Sequence, residues 1–536
     1  MKIPSRFAAW IGRPLGRWAV LALGLWVCLV PAWLFADPLE NYYVYGDDWE
    51  FIASSRTFAR AFENLWTPHN VHIVPAWRLW SALIVALAGR LADLQAVLAG
   101  ASYAMLAAVM VLTGRLVYRE TRRVPLSLAT MAFLGTTSLM QPAGSWFSAS
   151  QAAGAGFGVL MTLWYAQGWR RRGGAWRLAM MVLSTWIAGG SWTTGHIAGP
   201  VGAVYLFADG RRRCRWAAMA PLLGTAIAGV VVLGLGGRGI AHQSTISFHG
   251  RKAEEAIAPW QGALHTVQAI PERLILGNLG LVAETTFRQA VVLMLGLLVV
   301  WGWTRRLGGW RPNPLECAGA TLVMGSYWLL WTFRGYLPFS SLRGFVPWYE
   351  TIPQIGAALF AAGWWMGTRR AVPEEATVPL TRGAALGIIA LQVALAVLHE
   401  PRAQALFEDP LRIGYLTEAE QKLFPIPELR RLRAVYLWGE RADRQRRHLA
   451  RLDHAQEIAR RMGVGREALV QVFGRVLWPD PPVIEDANLL DLPWKGTETD
   501  PERIRQTLGD AFALEPEPKP PWLDPRQPWP PPVGRR

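Results

Sequence analysis

The chain alternates long apolar runs with clusters of arginine along most of its length. The runs are about 16–24 residues long, close to the length that an α-helix needs to cross the hydrocarbon core of a bilayer. Hydrophobic residues make up 52% of the 536 residues, and 29 residues are tryptophan. This pattern predicts an all-α membrane protein with many spanning helices rather than a soluble globular core.

The net charge of +16 is unevenly distributed along the chain. Residues 401–536 carry nearly equal numbers of basic and acidic side chains, so the basic excess lies earlier, between the apolar runs. The positive-inside rule describes this distribution for cytoplasmic loops. It favours the lipid bilayer as the partner of this chain and argues against nucleic acid.

The arginine clusters also predict a topology. Arg13 and Arg17 place the N-terminus in the cytoplasm, so the first helix delivers the following loop to the outside. The apolar stretch 71–91 is interpreted as a helix lying flat on the outer surface, because only then do the later arginine clusters all fall on the inner side. We predict about eleven spans, within a range of 9–13. The predicted spans are 18–36, 94–117, 124–140, 151–168, two short helices between 173 and 210, 215–236, 288–304, 315–331, 347–366 and 383–398.

This topology divides the chain into three predicted regions. Residues 1–399 form the membrane domain, with long outer segments at 37–93 and 237–287. Residues 400–511 form a soluble helical extension, which the count of spans places outside the cell. Residues 512–536 are dense in proline and are expected to be a disordered tail.

Two adjacent acids, Asp47 and Asp48, follow the first apolar run within the sequence Tyr45-Gly-Asp-Asp-Trp-Glu50. Carboxylates are costly near hydrocarbon, so an acidic pair at a membrane edge suggests a functional site. One acid is explained equally well as a cap of the following helix, but a cap needs only one. We predict that Asp48 caps the helix and that Asp47 faces the chemistry.

His69 and His72 form a second polar group in the same outer segment. Two histidines at this spacing bind a metal or a phosphate where they share a helix face. Pro68 and Pro75 argue against a regular helix through both histidines. The alternative is a loop in which each histidine is hydrogen-bonded to the backbone.

Further polar and aromatic residues fall on the predicted outer side. Arg334 and Arg343 are cations where the positive-inside rule disfavours them; they either anchor helix ends or bind a phosphate in bidentate fashion. The residues expected to line an acceptor cavity are Trp146, Gln151, His196 and Tyr349.

On these residues the chain resembles the GT-C class of membrane glycosyltransferases, the bacterial protein-mannosyltransferase and aminoarabinose-transferase kind. The resemblance is one of layout over about residues 10–370: an acidic first outer loop, a polar segment opening a flat helix at 69–78, and Arg343-x-x-x-Pro347 before a late helix. It departs from the family in having Asp-Asp for Asp-Glu and a single Pro75 for a proline pair.

The resemblance implies a function and a set of roles. The protein would move a sugar from a polyprenyl-phosphate-sugar donor to a lipid, glycan or protein acceptor at the outer face of a bacterial inner membrane. Asp47 or Asp48 would be the catalytic base or would bind a divalent cation, Mg or Mn. The donor phosphate would bind Arg343, with Arg334, His69 and His72 as further candidates.

Other functions stay open at this point. A transporter or flippase of a lipid-linked or amphipathic substrate would show charged residues deep within spans, or broken helices in matched halves. An O-antigen ligase or polymerase would use a large late outer loop, for which His242, His249, Arg251 and His265 are candidates. An inactive relative with a scaffold role is a fourth possibility. The sequence leaves the oligomeric state open.

Overall fold

The computed structural model describes most of the chain up to Phe407. The described residues are 5–34, 47–55, 57–67, 69, 72–91, 94–244, 259–279, 287–308, 313–334, 347–367 and 377–407. They are 88% helical and include no β-strand, which confirms the prediction of an all-α protein for this part of the chain.

The helices occupy the segments in which the apolar runs lie. The first half comprises α1 (Ser5–Gly12), α2 (Arg17–Leu34), α3 (Asp47–Ser54), α4 (Phe58–Glu63), α5 (Pro75–Leu91), α6 (Leu94–Thr121), α7 (Val124–Thr136), a 3₁₀ turn (Ser138–Met140), α8 (Gln141–Ser145) and α9 (Ser150–Arg172). The second half comprises α10 (Ala175–Ser191), a 3₁₀ turn (Thr193–Ile197), α11 (Ala198–Phe207), α12 (Arg212–Ala217), α13 (Met219–Ser244), α14 (Pro259–Ala269), a π-helical turn (Ile270–Leu276), α15 (Phe287–Gly308), α16 (Pro314–Arg334), a 3₁₀ turn (Pro347–Glu350), α17 (Thr351–Gly367) and α18 (Arg382–Phe407).

Local sequence explains where these helices stop. The last turn of α9 carries Arg170, Arg171 and Arg172, which complement the negative end of the helix dipole. Gly173 and Gly174 follow with φ of 66° and 99°, a backbone conformation that L side chains rarely adopt. Arg170 to Gly174 therefore mark the end of α9, and the three arginines among them are one of the predicted arginine clusters.

The chain divides into two compact units. The first comprises residues 1–42, 55–87 and 96–407, and it holds the bundle described below. The second comprises residues 43–54, 88–95 and 408–536, of which the structure describes α3 and the short helical stretches at 88–91 and 94–95. The predicted extension, 400–511, lies almost entirely outside the described residues; its first eight residues, up to Phe407, continue α18.

Within the first unit, arginines from separate clusters meet at one end of the bundle, which we call the arginine end. Arg170 of α9 contacts Glu120 of α6 at 2.6 Å, and its Nε lies 3.7 Å from Asp209, which follows α11. Arg211, just before α12, lies 3.2 Å from Asp209. The clusters at 119–123, 170–172 and 211–213 therefore share one end, as the predicted topology requires.

Helix α5 occupies most of the stretch 71–91, whose orientation was ambiguous from the sequence. It begins beside Gly190, at the far end of α10 from the arginine end, where an added Cβ would lie 3.1 Å from Ala76. Helix α6 also starts away from the arginine end, since Leu106 packs on Gly144 while Glu120 lies among the arginines. Whether α5 lies flat on a membrane or crosses it stays a prediction.

Four of the described helices are long and apolar enough to cross a membrane: Arg17–Leu34, Ala96–Thr121, Arg212–Val232 and Arg382–His399. Several others are short, with 17 residues in α10 and in α17 and 10 residues in α11. Large apolar side chains also cover exposed faces, such as Val299 of α15 at 64% exposure and Val230 of α13 at 70%. Such exposed apolar surface is typical of a protein in contact with lipid.

One predicted boundary was wrong. The span predicted at 124–140 ends at Thr136, because Thr137 adopts extended backbone and its hydroxyl accepts from Leu139 N to start a 3₁₀ turn. The segment 237–287, predicted as a long outer segment, includes the end of α13, all of α14 and the π-helical turn, and its location on the outer side stays a prediction.

Close packing of α16 on α17 depends on glycine at position 319. A Cβ there would overlap the backbone nitrogen of Phe360 and the carbonyl oxygen of Gly356. We expect Gly319→Ala to lower the free energy of unfolding by about 1–3 kcal/mol, since backbone cannot move aside as a side chain does. The control is Gly387→Ala in α18, where an added Cβ meets nothing within 4 Å. Equal melting temperatures of the two variants in detergent would contradict the expectation.

Candidate functional site

Buried polar and aromatic residues gather at the opposite end of the first unit, which we call the polar end. His69 and His72 exchange backbone hydrogen bonds of 2.7 and 2.8 Å, so they form a tight turn rather than a helix. The ring of His72 is hydrogen-bonded through Nδ1 to Thr193 Oγ1 at 2.6 Å. His72 also meets the ring edge of Trp192, which stacks on Tyr349 with ring centroids 5.4 Å apart. Three separate segments thus converge here.

A charged cluster adjoins this aromatic stack. Glu350, the residue after Tyr349, accepts from Arg273 Nη1 at 3.4 Å and from the hydroxyl of Tyr327. Glu350 and Tyr327 are fully buried, and Arg273 is 3% exposed. A buried carboxylate is tolerated only with such partners, because an isolated charge would lose its hydration without compensation. The cluster joins the π-helical turn, α16 and the turn before α17.

A second polar network lies at the same end. Asn278 accepts from the Thr137 hydroxyl at 2.7 Å and donates to Gln354 Oε1 at 2.9 Å. His399 Nε2 lies 3.1 Å from the carbonyl of Asn278, so Nε2 donates, and Nδ1 accepts from Ser138 Oγ at 2.9 Å. The network ties the end of α18 to the turn after α7 and orients the imidazole of His399.

Several buried polar atoms at this end have no hydrogen-bond partner among the described residues. Those on α9, the Thr193–Ile197 turn and α17 are Gln151 Oε1, Thr194 Oγ1, His196 Nδ1, Thr351 Oγ1 and Gln354 Nε2. Buried polar groups are usually satisfied, so a set of them on contacting elements suits a polar ligand or ordered water.

The predicted cavity residues are all buried or half-buried at the polar end. Gln151 occupies the first turn of α9, and Trp146 ends α8 at 5% exposure. His196 packs directly against Gly189, where a Cβ would lie 2.7 Å from Nδ1. Burial lowers the pKa of the His196 imidazole, which favours its neutral form. Tyr349 takes part in the stack described above.

The acidic pair begins α3 in the second unit. Asp47 and Asp48 are its first two residues, where negative charge is stabilised by the helix dipole. Asp48 is fully buried. The side chain of Asp47 is not among the described parts of the chain, so the assignment of capping to Asp48 and chemistry to Asp47 stays a prediction.

The structure describes the backbone of one of the two predicted phosphate-binding arginines and not of the other. Arg334 is the last residue of α16, and its side chain lies outside the described part of the chain. Arg343 lies outside the described residues altogether, as do His249 and Arg251 of the alternative late loop. For all of these the predicted roles stay predictions.

Arg273, Tyr327 and His399 were missed by sequence reasoning. The signal for Arg273 was present, because Glu272-Arg273 is a charged pair within an otherwise apolar stretch. For His399 the signal was its place at the end of the last apolar run. Tyr327 carried no signal, since a tyrosine in an apolar helix is ordinary.

Among the described residues, no group of three or more His, Cys, Asp or Glu side chains is arranged to hold a metal ion. The proposed Mg or Mn ligands, Asp47 and Asp48, are only partly within this set, and their metal role stays a prediction.

Comparison of the chain with known protein families, with curated proteins and with solved structures finds no match.

Proposed function

We propose that this protein is a membrane glycosyltransferase that uses a polyprenyl-phosphate-sugar donor and a lipid, glycan or protein acceptor. The observation that carries the proposal is the buried Arg273–Glu350 pair, linked through Tyr349 and Trp192 to His72, at one end of an apolar helix bundle. A lipid-linked donor combines an apolar tail with a charged phosphate. This end of the molecule offers apolar helices beside cationic and polar groups.

In the proposed reaction one bond forms and one bond breaks. Asp47 or Asp48 takes a proton from the acceptor hydroxyl or amine, whose oxygen or nitrogen attacks the anomeric carbon of the sugar. The bond from that carbon to the phosphate oxygen breaks, and its electron pair leaves with the polyprenyl phosphate. Cationic groups stabilise the departing phosphate. The phosphate-binding candidates are Arg343, Arg334, His69 and His72, to which we add Arg273.

The acceptor side of the proposed site consists of Trp146, Gln151, His196 and Tyr349. Three of them carry polar atoms suited to hydroxyl groups, and the tryptophan and tyrosine rings offer apolar faces. Buried amide, hydroxyl and imidazole atoms around Gln151 and His196 support this assignment.

The proposal includes a location and an orientation. The arginine end faces the cytoplasm by the positive-inside rule, with about eleven spans in the inner membrane of a bacterium. The polar end, the acidic pair and the extension 400–511 then lie on the outer side, where lipid-linked sugars are consumed.

The test replaces Asp47 and Asp48 by alanine, singly and together. Sugar transfer is measured in proteoliposomes that contain a panel of labelled polyprenyl-phosphate hexoses and pentoses, and surface glycans are measured in cells. We expect the double variant to lose about 10²–10⁴-fold in rate, the usual contribution of a general base. The control is Glu63→Ala, which removes an exposed acid on α4. Normal transfer by both single variants and the double variant would refute the proposal.

A transporter of a lipid-linked substrate is the second candidate. It is favoured by the position of the charged cluster beside a predicted span: Tyr327 of α16, which contacts Glu350, lies about 10 Å from the end of α16 at Arg334, at ~1.5 Å per residue. Purified protein in liposomes that moves the lipid-linked sugar across the bilayer without cleaving it would favour this candidate over the first.

A further inference from the structure

Two arginines at the arginine end lie against one glycine, and a third contacts the backbone of one of them. An added Cβ on Gly168 of α9 would lie 3.1 Å from Nε of Arg177 and 3.8 Å from Nη2 of Arg119. Arg171 lies next to Arg119, because its Nη2 donates to the backbone carbonyl of Arg119. We call Arg119, Arg171 and Arg177 around Gly168 the Gly168 cluster. It joins the ends of α6, α9 and α10.

The Gly168 cluster holds like charges close together without a carboxylate. In the described part of the chain, no Asp or Glu oxygen lies within 4.0 Å of these three guanidinium groups. The nearby acids form ion pairs with other arginines. Glu120 pairs with Arg170, and Asp209 lies close to Arg170 and Arg211. Like charges so placed repel one another, and a bound anion would relieve the repulsion.

Tryptophan rings stack against two of the three guanidinium groups. Arg119 lies over the ring of Trp164 at 3.9 Å from the ring centroid, and Arg177 lies over Trp176 at 4.6 Å. Trp176 itself is 56% exposed. Tryptophan is enriched at the level of lipid headgroups, and these rings therefore favour a position of the cluster near headgroup phosphates. The three half-buried arginines are oriented by stacking and by two backbone contacts, from Arg171 to the carbonyl of Arg119 and from Arg177 Nη1 to the carbonyl of Gly173 at 2.5 Å.

We propose that the Gly168 cluster binds the phosphate of an anionic phospholipid headgroup. Arginine suits this role because its planar guanidinium is weakly hydrated and contacts phosphate oxygens in pairs. Basic pockets between membrane helices bind anionic headgroups by the same chemistry. Because Gly168 has no side chain, the side chains of Arg119 and Arg177 both lie close to its Cα, one from each neighbouring helix. This site is separate from the polar end and independent of the proposed transferase activity.

The test measures lipid binding to the full-length protein in detergent by native mass spectrometry and by thermal shift. The probes are phosphatidylglycerol, cardiolipin, phosphatidylcholine and inorganic phosphate. We expect the two anionic lipids to bind and to raise the melting temperature, with little effect of phosphatidylcholine or of inorganic phosphate. Equal effects of phosphatidylcholine would overturn the proposal, and an equal effect of inorganic phosphate would assign the site to a free anion instead.

Matched variants separate a built site from general charge. Arg119→Gln with Arg177→Gln is expected to raise the Kd for phosphatidylglycerol about tenfold or more, since each arginine near a headgroup contributes about 1 kcal/mol. Arg119→Lys with Arg177→Lys keeps the charge but loses the paired contacts, and it should also bind more weakly than wild type. The control, Arg306→Gln, removes an exposed charge on α15. Wild-type affinity in the lysine variant, or equal loss in the control, would overturn the proposal.

Discussion

Replacing Glu316 with alanine is expected to lower the free energy of unfolding by about 3–5 kcal/mol, because it leaves a buried arginine without its partner. Glu316 accepts from Arg305 Nε at 3.0 Å and contacts the Nη2 of the same guanidinium. It also accepts from Trp301 Nε1 at 2.5 Å and from the backbone of Asn313 at 3.3 Å. Arg305 and Glu316 are 1% and 2% exposed, so water cannot replace the lost contacts.

The measurement is reversible unfolding, or the melting temperature in a fixed detergent, of wild type and variant. The control is the double variant Arg305→Met with Glu316→Leu, which removes both charges together. Because the cost of burying the ions is then removed with their attraction, we expect it to lie close to wild type or above it. If Glu316→Ala lowered the free energy of unfolding by less than about 1 kcal/mol, the Arg305–Glu316 pair would contribute no more than a solvent-exposed ion pair does.

Glu350→Gln is expected to reduce the turnover of the proposed transferase about 100-fold through the position of Arg273. Glu350 is a positioning residue: it contacts Arg273 at 3.4 Å and Tyr327, and it takes no proton itself. A shift of about 1 Å in a substrate-binding group is enough for a loss of this size. We expect kcat to fall, and the Kd for the polyprenyl-phosphate-sugar donor to rise, while Glu350→Asp restores part of both.

The matched control for this prediction is Glu120→Gln at the arginine end. Glu120 also accepts from an arginine, a tyrosine and a glutamine, with distances of 2.6 Å to Arg170, 2.7 Å to Tyr205 and 2.9 Å to Gln167. Both variants should lose stability, but only Glu350→Gln should lose turnover per folded molecule. Equal turnover of the two variants would remove Arg273 and Glu350 from the proposed site.

The positions of the helices were largely predictable from the sequence. Helix ends in this chain follow short-range signals, such as Arg170 to Arg172 followed by two glycines at the end of α9. The failures occurred where local hydropathy is mixed, as in the polar-rich helix Pro259–Ala269. There the helix is stabilised by packing on α16, which no local pattern reports.

For the candidate site, the sequence predicted some of the individual residues but not the contacts between them. The number of predicted spans between them placed His72, His196 and Tyr349 on the same side of the membrane. Such a count depends only on the order of apolar runs in the sequence. Their partners were not predictable: Thr193 for His72, Trp192 for Tyr349 and Ser138 for His399 are brought in by helix packing.

The sequence by itself therefore determined that the described chain is helical, where most of its helices lie and which ends carry the arginines. These properties follow from local hydropathy and charge, which act within a few helical turns. Only the tertiary structure decided that Arg273 pairs with Glu350, that Arg119 and Arg177 meet at Gly168, and that Arg171 contacts the backbone of Arg119. Such pairings depend on how distant helices pack, and the free energy of a buried charge is set by the partners that packing supplies.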